Sequence, residues 1–388
     1  MTPAIPTRVA AAIDTLSHPV CAYVYDLAAL SERIAAVKAA LPPQTRLFYA
    51  MKANSRPELV ARAAQYCDGI EIASPGELAT AIAAGARHLI YGGPSKTDAA
   101  LTAALSCGTP VTVNVEGLHE LRRLDRLARQ HGTVAEIALR VNRATETPGG
   151  THRMTGTPTP FGIDAAHLDD AVDLARRLPG VRLTGLHLHA VSNNLDAAAH
   201  ARFVAEALEY AADTATRHGL TWETVNLGGG IGVDPAGGSE FDLADFAARL
   251  TRPAVTTIFE LGRYLAAETG WYATEVTDIK TTHGRTFAVV RGGTHHFRLP
   301  AAWGYDHPAA VHPVDEWPYP WQRPEARDTT VDVTGELCTP RDVLCRDLPV
   351  SRLRVGDVLV FGRTGAYGWD ISHHDFLSHP HPDTVVLD

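Results

Sequence analysis

The chain has 388 residues and a formal net charge of −9, and 45% of its residues are hydrophobic while 20% are charged. This composition is typical of a folded globular protein and predicts about two domains with a large core. The sequence contains no dense stripe of Lys and Arg, so neither nucleic acid nor anionic lipid is an expected partner.

The amino terminus lacks a basic segment followed by a long apolar core, and no stretch approaches about 18 consecutive apolar residues. The sequence therefore predicts neither a signal peptide nor a transmembrane helix, and we expect a cytoplasmic protein. Five cysteines occur at unrelated spacings without a CxxC pair. This pattern indicates neither a disulfide framework nor a metal site.

From about Leu47 to Glu260, short apolar runs alternate with helical segments rich in Ala, Leu and Arg, which is typical of a parallel sheet. The predicted strands are Arg46–Ala50, Gly69–Ala73, Leu89–Gly92, Val111–Val115, Glu136–Val141, Arg182–His187, Thr224–Leu227 and Val255–Phe259. Eight such strands favour a closed (β/α)₈ TIM barrel over an open doubly wound sheet. We place this barrel at residues 27–264.

The flanking residues lack the alternation and carry strand-like runs such as WYATEV, TFAVV and DVLVF. We therefore predict an all-β domain at residues 265–388, which the N-terminal segment 1–26 joins. The fold class predicted for the whole chain is α/β, a barrel followed by a C-terminal β domain.

The first predicted barrel strand ends on Lys52. Most lysines at strand ends are solvated surface charges, but catalytic residues of a barrel lie at the carboxyl ends of its strands. The later strand ends are also rich in polar residues and glycine: Glu71, Ser74, Gly76 and Glu77; Tyr91, Gly92 and Gly93; Asn114; Arg140 and Asn142; His187, His189 and Ser192; Gly228, Gly229 and Gly230; and Glu260, Gly262 and Arg263.

The seventh and eighth strand ends indicate an anion site. LGGGIG removes side chains at three successive positions, and barrels commonly bind phosphate after these strands. Arg263 could add a charge-assisted contact. Glu260 ends an apolar strand and needs a partner that offsets its desolvation, such as a protonated ring nitrogen. A lysine amine, a phosphate cradle, this carboxylate and a histidine together predict a pyridoxal 5′-phosphate (PLP) site.

The motifs YAMKAN, EIASPGEL, LRVN, HLHAVS, LGGGIG, ELGR, GELCTPRD and GAYG follow one another in this order. In this the chain resembles the fold-type III PLP-dependent decarboxylases, the group of diaminopimelate and ornithine decarboxylases, over nearly its whole length. The resemblance implies the alanine racemase-like fold. It also implies a homodimer in which Cys338 of each subunit completes the active site of the other.

The resemblance implies a role for each matched residue. Lys52 would bind the cofactor covalently and move protons, His189 would stack on its ring, and Cys338 would return a proton to the α-carbon. Glu260 would pair with the ring nitrogen, which favours decarboxylation because racemases of this fold have an arginine there. The implied phosphate contacts are Ser192, Gly228, Gly229, Gly230, Gly262, Arg263 and Tyr367.

The residues after Cys338 depart from the family pattern. Diaminopimelate and ornithine decarboxylases carry an acidic residue next to this cysteine, which binds the distal ammonium of the substrate, whereas this chain has Thr339. A charged hydrogen bond is worth roughly 1.5 to 3 kcal/mol, so its loss argues against a free diamino acid. Arg341, in place of the usual glycine, instead suggests a distal carboxylate. The predicted substrate contacts are Arg263, Arg298, Thr339, Arg341, Asp342 and Tyr367.

The stretch from Gly292 to Gly304 and the HAVSNN and LCTPRD motifs resemble the subgroup that decarboxylates a citryl-diaminopropionate conjugate in carboxylate-siderophore biosynthesis. The long loop from Arg143 to Gly162, with His152 and Arg153, could supply further carboxylate ligands or form a surface loop. Three alternatives stay open: a decarboxylase of free ornithine, lysine or diaminopimelate, an amino-acid racemase, and a non-catalytic PLP carrier.

Overall fold

The computed structural model describes residues 4–144, 149–150 and 152–388 and divides the chain into two compact units. The barrel unit comprises Leu30–Val233 and Ser239–Leu265, and the β unit comprises Met1–Ala29, Asp234–Gly238 and Ala266–Asp388. The short segment Asp234–Gly238 thus belongs to the β unit although it lies between two stretches of the barrel unit, and the predicted domain boundaries stay predictions. Among the described residues, no helix combines the length and apolar character that a bilayer crossing requires.

The strands of both units are numbered in chain order. They are β1 (Cys21–Asp26), β2 (Thr45–Ala50), β3 (Gly69–Ile72), β4 (Leu89–Tyr91), β5 (Val111–Val115), β6 (Ala135–Asn142), β7 (His152–Arg153), β8 (Ile163–Asp164), β9 (Val181–His187), β10 (Val191–Ser192), β11 (Thr224–Asn226), β12 (Thr256–Leu261), β13 (Gly270–Thr282), β14 (Arg285–Val290), β15 (Ala309–His312), β16 (Glu325–Thr334), β17 (Val343–Arg354), β18 (Val358–Phe361) and β19 (Asp383–Leu387).

The helices are numbered in the same way. They are α1 (Thr7–Ile13), α2 (Leu27–Ala40), α3 (Pro57–Tyr66), α4 (Pro75–Ala83), α5 (Asp98–Ser106), α6 (Leu118–Gln130), α7 (Leu168–Arg177), α8 (Ala197–His218), α9 (Leu243–Arg249), α10 (Arg263–Ala266) and α11 (Leu299–Trp303).

In the barrel unit, parallel pairing runs through β2, β3, β4, β5, β6, β9, β11 and β12, and β12 pairs with β2 to close the sheet. Within the described residues the barrel therefore has the eight strands that the sequence predicts, each within two residues of its predicted ends. The last four residues of β2, Leu47 to Ala50, are fully buried, as expected for a strand covered on both faces. The predicted (β/α)₈ barrel is confirmed.

The short loops of the barrel are fixed by local hydrogen bonds. At the start of α4, the Ser74 hydroxyl accepts a hydrogen bond from the Glu77 N–H at 3.1 Å, and the Glu77 carboxylate accepts one from the Ala73 N–H at 2.6 Å. This arrangement satisfies amide groups that the first turn of a helix leaves without a partner. Ser74 and Glu77 are thus explained by helix capping, although their place after a strand also fits a catalytic role.

The β unit contains a mainly antiparallel sheet in the order β15-β18-β13-β14-β16-β17, and β1 pairs with both β13 and β19. One apolar core of this unit joins α1, β1 and β18 through Val9, Ile13, Val24 and Val360. The strand-like runs noted in the sequence fall in β13, β14 and β18, apart from Asp357, which precedes β18. The predicted C-terminal β domain is therefore confirmed as a fold.

Candidate active site

Lys52 lies just beyond β2, in a short 3₁₀ turn that spans Met51–Ala53. Its Nζ donates to Oε2 and Oε1 of Glu71 at 3.2 and 3.4 Å. Glu71 lies on β3, opposite Ala50 of β2, so the pairing of adjacent parallel strands brings the two charges together. The Lys52 side chain is 49% exposed and that of Glu71 only 5%. The amine is thus held at the carboxyl end of the barrel yet stays accessible.

Glu260 on β12 is buried, and side chains from three other strands surround its carboxylate. Oε1 accepts hydrogen bonds from Asn226 Nδ2 at 2.6 Å and Asn114 Nδ2 at 3.4 Å. His187 Nε2 lies 3.4 Å from Oε2. Burial raises the pKa of Glu260, but His187 and Lys52 oppose this rise and hold the pKa below its ordinary value. We therefore treat Glu260 as ionised and able to accept a hydrogen bond from a protonated ring nitrogen.

The pKa of Glu71 is shifted in the opposite direction from that of Glu260. Burial raises its pKa, Lys52 opposes the rise and Glu260 adds to it, so that the pKa stays above the ordinary value for a glutamate. Two carboxylates with opposite shifts are typical of sites in which one group stays charged while the other exchanges a proton. Here Glu260 is the group that stays charged, and Glu71, beside Lys52, is the group that can exchange a proton.

His189 follows β9, and its ring is held by the glycine loop. Nδ1 of His189 accepts a hydrogen bond from the Gly229 N–H at 3.1 Å. Burial, followed by the charges of Arg140 and Lys52, lowers the pKa of His189 well below its ordinary value. The ring is therefore neutral, with its proton on Nε2, which suits stacking on an aromatic ring.

Glycine is required in LGGGIG because other groups approach the loop closely. A Cβ at Gly228 would lie 2.3 Å from His189 Nδ1, and one at Gly230 would lie 2.5 Å from the Val191 oxygen. Both residues have positive φ, 66° and 110°. The Gly228 N–H donates to Asn226 Oδ1 at 2.9 Å, and that of Gly229 to His189. These two amides thus have acceptors inside the protein, and the predicted contact of the glycine loop with phosphate stays a prediction.

Three other predicted phosphate contacts stay compatible with the fold. A Cβ at Gly262 would lie 2.8 Å from the Cβ of Ala53 and 2.9 Å from the Ala50 oxygen, so Gly262 packs directly against the turn that carries Lys52. Arg263 begins α10 and therefore lies at the same end of the barrel. Ser192, on β10, follows the same strand end as His189. Their contact with phosphate stays a prediction.

Some buried polar atoms at this end of the barrel lack a hydrogen-bond partner and could contact a bound aromatic ring that carries polar groups. Within the described residues, Asn114 Oδ1 and His187 Nδ1 have no hydrogen-bond partner. Buried polar atoms are normally paired, so such atoms suggest a bound group. An accessible lysine, an ionised Glu260 and a neutral His189 fit PLP, since they offer an amine, a partner for the ring nitrogen and a stacking surface.

The remaining predicted substrate residues lie in the β unit. A cavity of about 590 Å³ is lined by the arginines Arg298, Arg341 and Arg346 and by Thr339. Arg298, Thr339 and Arg341 were predicted from the sequence, whereas Arg346 was not. Cys338, next to Thr339, is exposed. The β unit thus brings together three of the predicted substrate contacts beside the predicted proton donor.

Asp342 does not take part in this cavity. It is 1% exposed, and its Oδ1 accepts hydrogen bonds from the N–H and the hydroxyl of Thr294 at 2.6 and 2.7 Å. Its Oδ2 accepts one from the Leu337 N–H at 2.9 Å. These hydrogen bonds give Asp342 the role of fixing the loop that carries Cys338, and its predicted contact with the substrate stays a prediction.

Tyr367, a predicted phosphate and substrate contact, has a positive φ of 59°. Its ring centroid lies 5.9 Å from that of Trp303. Both residues belong to the β unit. The role of the Tyr367 hydroxyl stays a prediction.

The predicted carboxylate ligands on the long loop cannot be placed. Residues 145–148 and 151, and the side chains of His152 and Arg153, lie outside the described part of the chain. Among the residues that are described, no group of three or more His, Cys, Asp and Glu side chains is arranged to hold a metal ion.

Three contributors to the site were missed or given no role in the sequence analysis. Asn114 and Glu71 were noted only as polar strand ends, and Asn226 was not singled out. Each is a buried polar residue near the carboxyl end of a strand; Glu71 begins the EIASPGEL motif and Asn226 precedes LGGGIG, whereas Asn114 adjoins no recognised motif. Their place at a strand end was the only available signal, because their partners are distant in sequence.

Comparisons with known proteins agree with this site. The family model described as "Pyridoxal-dependent decarboxylase, pyridoxal binding domain" matches residues 27–275. The chain is 41% identical over 380 residues to 2-[(L-alanin-3-ylcarbamoyl)methyl]-2-hydroxybutanedioate decarboxylase of Staphylococcus aureus, covering 96% of this chain and 95% of that protein.

Two further relatives widen the comparison. L-glutamyl-[BtrI acyl-carrier protein] decarboxylase of Niallia circulans is 31% identical, with 94% of this chain and 88% of that protein covered. Among solved structures, diaminopimelate decarboxylase from Helicobacter pylori, complexed with L-lysine, is 24% identical and has a TM-score of 0.81. That match covers 96% of this chain and 92% of the other and supports the fold.

Proposed function

The chain belongs to the pyridoxal-dependent decarboxylases, and we propose that its substrate is an amino acid whose distal part carries several carboxylates. Our specific proposal is a citryl-diaminopropionate conjugate of carboxylate-siderophore biosynthesis. The observation that carries it is the cavity that contains Arg298, Arg341 and Arg346. The S. aureus relative, whose name describes a hydroxybutanedioate joined to an alanine head, supports the same substrate class.

The charges of this cavity suit carboxylates and not an ammonium group. Among the described residues that line it, three are arginines and none is Asp or Glu. Guanidinium groups bind carboxylates through paired, charge-assisted hydrogen bonds. Asp306 Oδ1 lies 3.3 Å from Arg346 Nη1 and balances part of one charge, which leaves Arg298 and Arg341 as the stronger candidates. A free diamino acid would bring a second ammonium to a cationic surface.

The residues of the barrel support the chemical step. Bound PLP supplies a ring that accepts the negative charge left on the α-carbon when CO₂ departs. Glu260, kept ionised by its partners, would accept a hydrogen bond from the ring nitrogen of the cofactor and so keep that nitrogen protonated. Glu71, with a raised pKa and 3.2 Å from Lys52 Nζ, can exchange a proton with this amine. His189, neutral and fixed by Gly229, presents its ring face without adding a charge.

We further propose that the exposed thiol of Cys338 returns a proton to the α-carbon after CO₂ has left, from the partner subunit of a homodimer. The support for this step is the GELCTPRD motif and the rigid loop that Asp342 holds beside the cysteine. The homodimer and the cytoplasmic location stay predictions. Racemisation is disfavoured because an ionised Glu260 strengthens the electron-accepting ring, which favours loss of CO₂.

The experiment is to measure CO₂ release by the PLP-loaded enzyme from citryl-diaminopropionate, diaminopimelate, ornithine and lysine, each over a range of concentrations. We expect kcat/KM for the citryl conjugate to exceed that for every free diamino acid by at least about tenfold, as one charge-assisted hydrogen bond implies. Equal turnover of a free diamino acid would overturn the substrate proposal. Exchange of the α-hydrogen without CO₂ release would instead favour the racemase alternative.

A further inference from the structure

A buried asparagine connects two parts of the cofactor site. Asn226, the last residue of β11, is 2% exposed. Its Nδ2 donates to Glu260 Oε1 at 2.6 Å, and its Oδ1 accepts the Gly228 N–H at 2.9 Å. The orientation of the amide follows from these partners, since a carboxylate requires a donor and an N–H requires an acceptor. One side chain thus joins the carboxylate assigned to the ring nitrogen with the glycine loop that holds His189.

We propose that Asn226 is a positioning residue that keeps Glu260 ionised and aims it at the cofactor ring. Asn226 is neutral, so it donates to Glu260 without bringing a positive charge that would compete with a cationic ring nitrogen. Its hydrogen bond is also one of the causes that lower the pKa of Glu260. Because its other end fixes Gly228, the position of Glu260 is coupled to that of the loop.

The short distance makes the charge at this position decisive. If a carboxylate replaced the amide, two carboxylate oxygens would meet at about the 2.6 Å that now separates Asn226 and Glu260. Two carboxylates this close are not both ionised near neutral pH, because the second pKa of the pair is strongly raised, so they would share a proton there. Asn226→Asp preserves side-chain size and the acceptor for Gly228 but is expected to protonate the pair. Asn226→Ala removes both hydrogen bonds without adding a charge, so Glu260 loses one of the groups that favour its ionised form and keeps the others.

The proposal can be separated from a purely structural role by ranking these two variants. A structural role predicts that Asn226→Ala is worse, because it loses the packing and both hydrogen bonds. An electrostatic positioning role predicts that Asn226→Asp is worse. A matched control is Thr214→Val, which removes a buried hydrogen bond from Thr214 to the Tyr210 oxygen on α8, away from the site.

The first measurement is the pH dependence of the absorbance band of the bound cofactor, which needs no substrate and therefore does not depend on the substrate proposal. We expect a clear pH shift for Asn226→Asp, a smaller one for Asn226→Ala and none for Thr214→Val. The second measurement is turnover of whichever substrate the wild-type enzyme accepts. We expect kcat of Asn226→Asp to fall about 100-fold, the equivalent of a shift of about two pKa units, with KM within about threefold.

We also expect the activity of Asn226→Asp to recover as pH rises, because the shared proton is then lost. An unchanged absorbance band and pH profile in Asn226→Asp, or a greater loss in Asn226→Ala, would overturn the proposal. If Asn226→Asp fails to fold, the proposal is tested by comparing the pH dependence of the cofactor absorbance band in Asn226→Ala with that in Thr214→Val. A shift of this pH dependence in Asn226→Ala but not in Thr214→Val supports the proposal, and the same pH dependence in both variants refutes it.

Discussion

The two charged regions of this molecule are constructed in opposite ways. At the carboxyl end of the barrel, Glu71 and Glu260 are buried and held by Lys52, Asn226 and other neighbours. In the β unit, the arginines of the cavity are exposed and carry the same charge. Buried charges require fixed partners, whereas exposed charges can be exchanged at little cost to folding. The difference suggests that the barrel fixes the chemistry of the family and that the cavity sets the substrate.

The largest effect on kcat should come from removing Lys52, the amine that pairs with the buried Glu71. We expect Lys52→Ala to lower kcat by at least about 10⁴-fold, because it removes the amine that we propose to bind the cofactor. The cofactor absorbance band should change at the same time. Lys38→Ala is the matched control, since Lys38 forms a surface pair with Asp68 at 3.0 Å and should leave kcat unchanged. Retention of kcat in Lys52→Ala would contradict the site assignment.

A smaller effect should come from reversing one charge of the cavity. We expect Arg341→Glu to lower kcat/KM for the citryl conjugate through KM, by the loss of about 1.5 to 3 kcal/mol that a charge-assisted hydrogen bond supplies. This loss corresponds to about tenfold to 150-fold. The melting temperature should stay close to that of the wild type because Arg341 is exposed.

The control for this variant is Arg327→Glu, another exposed arginine of the β unit, which lies on β16 and pairs with Glu325. Its kcat/KM for the citryl conjugate should be unchanged. An equal loss in the two variants would mean that net charge, and not the cavity, governs the affinity. A loss confined to kcat of Arg341→Glu would remove Arg341 from the substrate contacts.

The last effect is expected to leave catalysis at neutral pH unchanged: it concerns stability and compares buried histidines of the two units. Burial lowers the pKa of His200, in the barrel unit, to about 4, and that of His307, in the β unit, to about 4 as well. Below about pH 6.5 the unfolded chain binds a proton at each position while the folded chain does not. The stabilisation by each histidine is therefore complete above about pH 6.5 and declines as the pH falls toward 4.

We expect the free energy of unfolding to fall by about 2 kcal/mol for each of these histidines between pH 7.5 and pH 5, measured by urea denaturation. His200→Phe should remove the contribution of the barrel unit, because His200 already packs among the rings of Phe203, Phe241 and Phe246. A decline of the same size in wild type and His200→Phe would show that His200 titrates normally in the folded chain.

The elements of the barrel could be predicted from sequence because each strand is a continuous apolar run bounded by turn residues. Lys52 and Glu260 could be singled out because each follows or ends a buried strand and stands in one of the ordered motifs, YAMKAN and ELGR. Asn226 could not, because a polar residue in a strand gives no sign of its partner, and Glu260 lies 34 residues further on.

The hydrogen-bond partners of Asp342 and of the glycine loop could not be predicted for the same physical reason. Asp342 stands in the motif after Cys338, and only the structure shows that both of its oxygens accept hydrogen bonds within the β unit. The amides of Gly228 and Gly229 were expected to face phosphate, but internal acceptors engage them. Sequence motifs locate polar groups, whereas burial and pairing decide which of them remain available.

The most direct test of the central claim is a competition between two substrates in one reaction. The PLP-loaded enzyme receives equal concentrations of citryl-diaminopropionate and diaminopimelate, whose α-carboxyl groups carry different carbon isotopes, and the isotope ratio of the released CO₂ is measured. Under competition this ratio equals the ratio of the two kcat/KM values. We predict that CO₂ from the citryl conjugate exceeds that from diaminopimelate by at least about tenfold. A ratio of one or less would contradict the assignment of the arginine-lined cavity to a carboxylate-rich substrate.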